Sequence, residues 1–191
     1  MSNRIISEES YTFSNFTDLD SVETKLVWEW RNDEKVRKWM YNTEVIPFEK
    51  HLKFIENLYD SKEKLYFLVK RKQVPIGVFS IVDIKDQTGE WGYYIAPEYH
   101  HQSFGIEFYY YTLNFVFGTL NFKEITGHAL LTNKSANSLN NLFGFTREQV
   151  SKHENGEIHE YYYLQLLSEV WNNQIKNSKK ILRFLQQTEN K

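Results

Sequence analysis

Apolar positions change their period several times along the chain, and each change marks an element. Tyr11 to Phe16 alternates aromatic with polar residues, which predicts an opening strand. In "SVETKLVWEWRND" the spacing of Leu26, Val27 and Trp30 gives a 3.6-residue face, with Asp18 or Asp20 placed to cap the helix. After Pro47, "FEKHLKFIENLY" sets Phe48, Leu52, Ile55 and Leu58 on one face of a second helix. The period then shortens. "LYFLVKR", "PIGVFSIVDI" and "EWGYYIAP" read as three strands joined by hairpin turns at "KQV" and "KDQTG".

A helix-length aromatic run, "GIEFYYYTLNFVF", covers Gly105 to Phe117, and "EITGHALL" is another strand. "NKSANSLNNLFGF" opens on a capping Asn and closes on Gly, which predicts a helix from Lys134 to Phe143. "FTREQVSKHENGEIHEYYYLQLL" is a hairpin turning at Asn155-Gly156, and Ser168 to Gln187 forms a helical tail. The order is β-α-α-β-β-β-α-β-α-β-β, then the tail. Strand, turn, helix and strand between Gly92 and Leu131 imply one central parallel pair. The fold class is therefore α/β: a mixed, mostly antiparallel twisted sheet flanked by helices. Residues 1–167 read as one domain and 168–191 as a C-terminal helical tail.

Composition narrows the chemistry. The 191 residues are 41% hydrophobic and 25% charged, as in a globular domain. An aromatic share of 17% supplies either core or a ring-lined pocket for sugars or nucleotides. A net charge of −2 sets up no field for nucleic acid. With no cysteine there is no disulfide, thiolate zinc site or cysteine nucleophile. No apolar leader and no run long enough for a membrane span is visible, so a cytoplasmic protein is expected.

The stretch "EWGYYIAPEYHHQSFG" concentrates the candidate chemistry. A histidine pair suggests a metal, but a third ligand is missing and adjacent loop histidines seldom point the same way. A polar turn entering a helix offers free N–H groups to phosphate instead. With the element order, this stretch resembles the coenzyme A pyrophosphate loop of the GNAT N-acetyltransferase superfamily. That resemblance puts His100 at a usual Gln or Arg, Ser103 at the first Gly and Gly105 at the second. It implies acetyl-CoA as co-substrate, no metal, and cofactor contacts from Tyr93, Ile95, His100, Gln102, Ser103, Phe104, Gly105, Ile106 and Asn133. Ser103 could donate to phosphate but restricts positive φ.

Asn133, Ala136, Gly144 and Phe145 match the superfamily's second signature. Its usual tyrosine, often the acid for the departing thiolate, is Asn140 here. An amide is no comparable acid, so either water or another group supplies the proton, or Asn140 only hydrogen-bonds the thioester region.

Residues 10 to 145 further resemble the nucleotide-sugar N-acetyltransferases of pseudaminic acid biosynthesis. The shared features are W-R-N, W-M, H-L-K-F-I and Y-F-L-V before I-G-V. Acetylation of the 4-amino group of a UDP-4-amino-4,6-dideoxy sugar is what this implies. By position, Arg31, Met40, His51, Ser80 and Tyr94 would bind substrate, with Ser80 and Tyr94 also in the catalytic cleft. Each has a plainer reading. Arg31 could pair with Glu34, Met40 could fill core, His51 could be solvated, and Tyr94 could be an ordinary sheet tyrosine. Direct attack of the amine on the thioester is expected, with backbone N–H groups of Tyr93 to Ile95 on the oxyanion. His128 is the first candidate base, or else a satisfied strand histidine; His51 is second. The expected partners are acetyl-CoA, an amino-sugar nucleotide and, as an option, a second copy in a homodimer. A protein N-terminus or polyamine as substrate, or a catalytically idle coenzyme A module, are the alternatives.

Overall fold

The computed structural model describes residues 5–6, 11–100, 104–154 and 157–175. The expected turn at Asn155-Gly156 and the candidates Gln102 and Ser103 lie outside them. The architecture is the expected one, a mixed, mostly antiparallel sheet flanked by helices. The chain forms two compact units: residues 1–85 with 90–102, and residues 86–89 with 103–191.

The first unit holds strands β1 (Ile5–Ile6), β2 (Tyr11–Asn15), β3 (Leu65–Arg71), β4 (Val74–Lys85) and most of β5 (Thr88–Ile95). Neighbours follow chain order, and β1 to β4 pair antiparallel. Both hairpin links are two-residue turns with left-handed backbone: Lys72 and Gln73 at φ 49° and 66°, Asp86 and Gln87 at 50° and 66°. That is the type I′ geometry, adopted here without its usual glycine. Three helices complete the unit: α1 (Ser21–Asn32), α2 (Glu34–Arg37) and α3 (Phe48–Leu58).

Asp20, rather than Asp18, caps α1 by accepting from the Glu23 amide at 2.8 Å. Asp33 ends α1 and caps the short α2, accepting from the Lys35 amide at 2.8 Å. The sequence pattern did not reveal α2. Phe16, Val27, Trp30, Ile55, Leu58, Leu68, Val78 and Ala96 form the core. Two expectations for α3 are corrected. Leu52 is 46% exposed, and His51, expected on the solvated face, is 6% exposed. The buried stripe is His51, Ile55 and Leu58, and the imidazole is tolerated there because it hydrogen-bonds the Thr24 backbone.

Besides residues 86–89, the second unit holds α4 (Phe104–Asn114), which continues as a π-helical turn over Phe115–Thr119. The Leu120 amide donates to the Phe115 carbonyl at 2.9 Å, closing that wider turn. β6 (Glu124–Leu130), α5 (Lys134–Leu142), β7 (Thr146–Glu154) and β8 (Glu157–Leu167) follow. β8 lies between β6 and β7, antiparallel to both. A further helix, α6, covers 168–175, and the rest of the expected helical tail, 176–187, lies outside the described residues. Its Trp171 is 1% exposed and packs on Tyr110, Phe117 and Phe143.

Candidate active site

In the first unit, strand register builds the polar cluster. Tyr66 on β3 lies directly opposite Ser80 on β4, and the two hydroxyls are hydrogen-bonded. Tyr94 on β5 packs on the core and donates to the Val27 carbonyl at 3.3 Å. Arg31, near the end of α1, interacts electrostatically with both tyrosines. Desolvation pushes the Tyr94 and Tyr66 hydroxyls above the usual tyrosine range and lowers Arg31 from its ordinary value. Arg31, Ser80 and Tyr94 are thus brought together. Tyr66 was missed from sequence; its register opposite Ser80 was the available signal.

Arg31 forms no salt bridge with Glu34. Its Nη2 donates to the Asn42 carbonyl at 2.8 Å, and its Nη1 is buried without a protein partner. That bond helps hold the segment after α2. Asn32 clasps Ile46 from both sides, its Oδ1 accepting from the Ile46 amide and its Nδ2 donating to the carbonyl. Trp28 Nε1 donates to the same carbonyl at 2.7 Å. Met40 is half-buried on this segment, between Trp39 and Tyr41, which are 39% and 51% exposed. Tyr41 donates to Glu90 at 2.7 Å.

His51 sits among Phe16, Phe48 and Phe54. Its Nε2 is buried without a partner, so Nδ1 is the nitrogen that donates to the Thr24 carbonyl. Burial lowers its pKa and favours the neutral ring. His100 Nε2 lies 2.8 Å from the Ile95 carbonyl, at the end of β5. Tyr93 is half-buried beside Trp91, ring centroids 5.4 Å apart.

In the second unit, Phe104, Gly105 and Ile106 open α4, and Asn133 caps α5 by accepting from the Ala136 amide at 3.2 Å. Asn140 is 3% exposed, and its Oδ1 accepts from the hydroxyl of fully buried Tyr109 at 2.8 Å. Tyr109 stacks on Phe143 at 5.4 Å. No sequence signal singled out Tyr109 as the partner of Asn140. His128 lies on β6 opposite Tyr163, with ring centroids 5.3 Å apart, and meets Tyr161 edge-on at 6.3 Å. It is half-buried. Among the described residues no three His, Asp or Glu are placed to hold a metal, and no helix is long and apolar enough to cross a membrane.

Comparison with known proteins bears on this arrangement. Acetyltransferase PseH of Campylobacter jejuni is 42% identical over 84 residues, which is 44% of this chain and 53% of that protein. The chain thus spans about half the length of the curated relatives it matches. The crystal structure of C. jejuni PseH superposes with a TM-score of 0.65 at 27% identity, over 82% of this chain and 97% of that one. The same enzyme has been solved with acetyl coenzyme A. Spermidine N-acetyltransferase from Vibrio cholerae, in complex with coenzyme A and spermine, superposes at a TM-score of 0.76 over 85% of this chain and 98% of that one. Its 18% identity speaks for the fold alone. Residues 12–146 match the acetyltransferase (GNAT) domain, and the chain belongs to that family.

Proposed function

We propose that the chain is an acetyl-CoA-dependent N-acetyltransferase that acetylates the 4-amino group of a UDP-4-amino-4,6-dideoxy sugar. The observation that carries this reading is Arg31. Its guanidinium has no carboxylate partner among the described residues and keeps a buried N–H unused. Tyr66 and Tyr94 interact with it electrostatically, and Ser80 hydrogen-bonds Tyr66. A planar cation next to hydroxyls suits an anionic, hydroxyl-rich substrate and repels a polycation. The match to PseH over 84 residues supports the same substrate class.

The amine attacks the thioester carbonyl directly, the C–N bond forms and coenzyme A leaves as the thiolate; with no cysteine in the sequence, a cysteine-bound acyl intermediate is excluded. In this reading the Tyr93 to Ile95 backbone steadies the oxyanion, and His128 receives the ammonium proton, directly or through water. Asn140 orients the thioester region without giving up a proton. The resemblance assigns acetyl-CoA contacts in the first unit to Tyr93, Ile95 and His100, and in the second unit to Phe104, Gly105, Ile106 and Asn133.

The fold likeness to spermidine N-acetyltransferase keeps a polyamine as the second reading. One assay separates them: coenzyme A release with a UDP-4-amino sugar, spermidine and an N-terminal peptide as acceptors. Turnover on the nucleotide sugar alone is the expected result. Turnover confined to spermidine or the peptide would sink the substrate assignment, and none on any acceptor despite acetyl-CoA binding would favour an idle module.

A further inference from the structure

β7 is the last strand of the sheet and has a ladder partner, β8, on one side only. The opposite edge, β1, is two residues long, whereas β7 runs for nine. A long open edge presents a row of backbone N–H and C=O groups to any strand that reaches it, and chains usually blunt it with proline, a bulge or a short strand. β7, "TREQVSKHE", has no proline, and its register with β8 is unbroken from Thr146 opposite Gln165 to Glu154 opposite Glu157. Thr146 to Gln149 are exposed, so the edge is within reach of a partner. Beyond the β8 ladder, no backbone hydrogen bond reaches Thr146–Ser151 from the described residues. The charges on this strand are paired by position. In "EQVSK", Glu148 stands two residues before Val150 and Lys152 two residues after it. The period of two keeps all three on one face. The segment is therefore complementary to a reversed copy of itself.

We propose that β7 pairs antiparallel with β7 of a second copy of this chain, about a twofold axis through Val150. In that register Glu148 of each copy faces Lys152 of the other, and Gln149 faces Ser151. Residues directly opposite in an antiparallel pair bring their side chains close on the same face, where opposite charges attract and like charges repel. A register centred on Gln149 instead sets Glu148 against Val150 and Lys152 against Thr146, and both ion pairs are lost. The Lys152 ammonium lies 5.8 Å from the centre of the Tyr161 ring, and Tyr161 is the β8 partner of Val150, so the cation is held near the axis. Being isologous, the contact closes at a dimer and does not propagate. One strand edge is a small interface, so the dissociation constant is expected on the order of 1–100 µM. The pairing lies wholly in the second unit and does not depend on which amine is acetylated.

The test is sedimentation equilibrium of the full chain across the micromolar range, with hydrogen exchange read at β7 and thermal melting as the control for folding. A dimer that weakens with added salt is expected. Glu148→Lys and Lys152→Glu each turn both attractions into repulsions and should raise the dissociation constant on the order of 10-fold or more. The double variant restores both pairs in the reversed sense and should dimerise as the native chain does. An equimolar mixture of the two single variants should form the heterodimer, because each supplies the charge that the other lacks. A dimer indifferent to the single variants would overturn the pairing, as would failure of both the double variant and the mixture to recover it. A native chain that stays monomeric throughout that range would also overturn it. In that case, protection of the outward-facing amides of Thr146–Ser151 would assign the edge to the chain's own residues 176–191, and free exchange would leave it open.

Discussion

Replacing Gly144 with alanine tests the closure of α5, the helix that carries Asn133 and Asn140. Gly144 sits at φ +84°, and the Phe145 amide donates to the Asn140 carbonyl at 3.0 Å, closing the helix end. A left-handed backbone costs a non-glycine residue about 1 kcal/mol. A Cβ would also come 2.5 Å from Gln174 Nε2, 2.8 Å from its Cδ and 2.9 Å from its Oε1. That is the far end of a flexible side chain, so it can swing away at a cost of about 1 kcal/mol in lost contacts. Together these give about 2 kcal/mol. For a chain of this size that lowers the apparent Tm by roughly 4–8 °C in scanning calorimetry. Gly118→Ala is the control, because its Cβ would meet nothing within 4 Å. Adding Gln174→Ala to Gly144→Ala should remove the clash and leave the backbone cost. A Gly144→Ala variant that melts with the Gly118→Ala control would refute the reasoning, as would full rescue by Gln174→Ala.

Three further outcomes are expected. Tyr109→Phe strands the buried Oδ1 of Asn140 and should cost about 1–3 kcal/mol in urea unfolding, while Tyr109→Phe with Asn140→Leu costs less than the sum of the singles. Gln87→Gly, at φ 66°, should stabilise by about 1 kcal/mol in the same assay, and a loss would argue against the I′ turn. His51 has its folded pKa lowered by burial, so the unfolded chain binds the proton more strongly. Its contribution is complete above about pH 6.5 and is lost as pH falls through the lowered folded value. Unfolding midpoints measured from pH 7.5 down to 5 should therefore drop more steeply in the native chain than in His51→Phe; parallel slopes would remove His51 as the cause.

What was legible in the sequence was local. Alternation marked β2, β-rich runs between turns marked β3 to β5, and the Asn133 cap with Gly144 marked α5 to within a residue, because periodicity and caps act over a few positions. The family signatures were likewise contiguous. What escaped needed tertiary context. Leu52 and His51 exchange places because an imidazole with one nitrogen satisfied by Thr24 can enter an aromatic core, which no helical pattern announces. The sequence offers Glu34 as a nearby partner for Arg31, but the guanidinium reaches a carbonyl eleven residues on. Tyr66 joined the cluster through strand register, and Tyr109 joined Asn140 across thirty-one residues.

That last pair explains a departure that sequence could only note. By the resemblance Asn140 takes the place of a usual tyrosine, and the Tyr109 whose hydroxyl it accepts is fully buried and stacked on Phe143. A tyrosine at that position would have to enter space that Tyr109 already fills, and overpacking of this kind typically costs about 1–3 kcal/mol. The smaller amide and the large ring are therefore complementary. Restoring the family residue alone should destabilise the second unit, whereas Asn140→Tyr combined with Tyr109→Leu relieves the crowding. If Asn140→Tyr alone folded as stably as the native chain, the loss of the acid would need a chemical cause rather than a packing one.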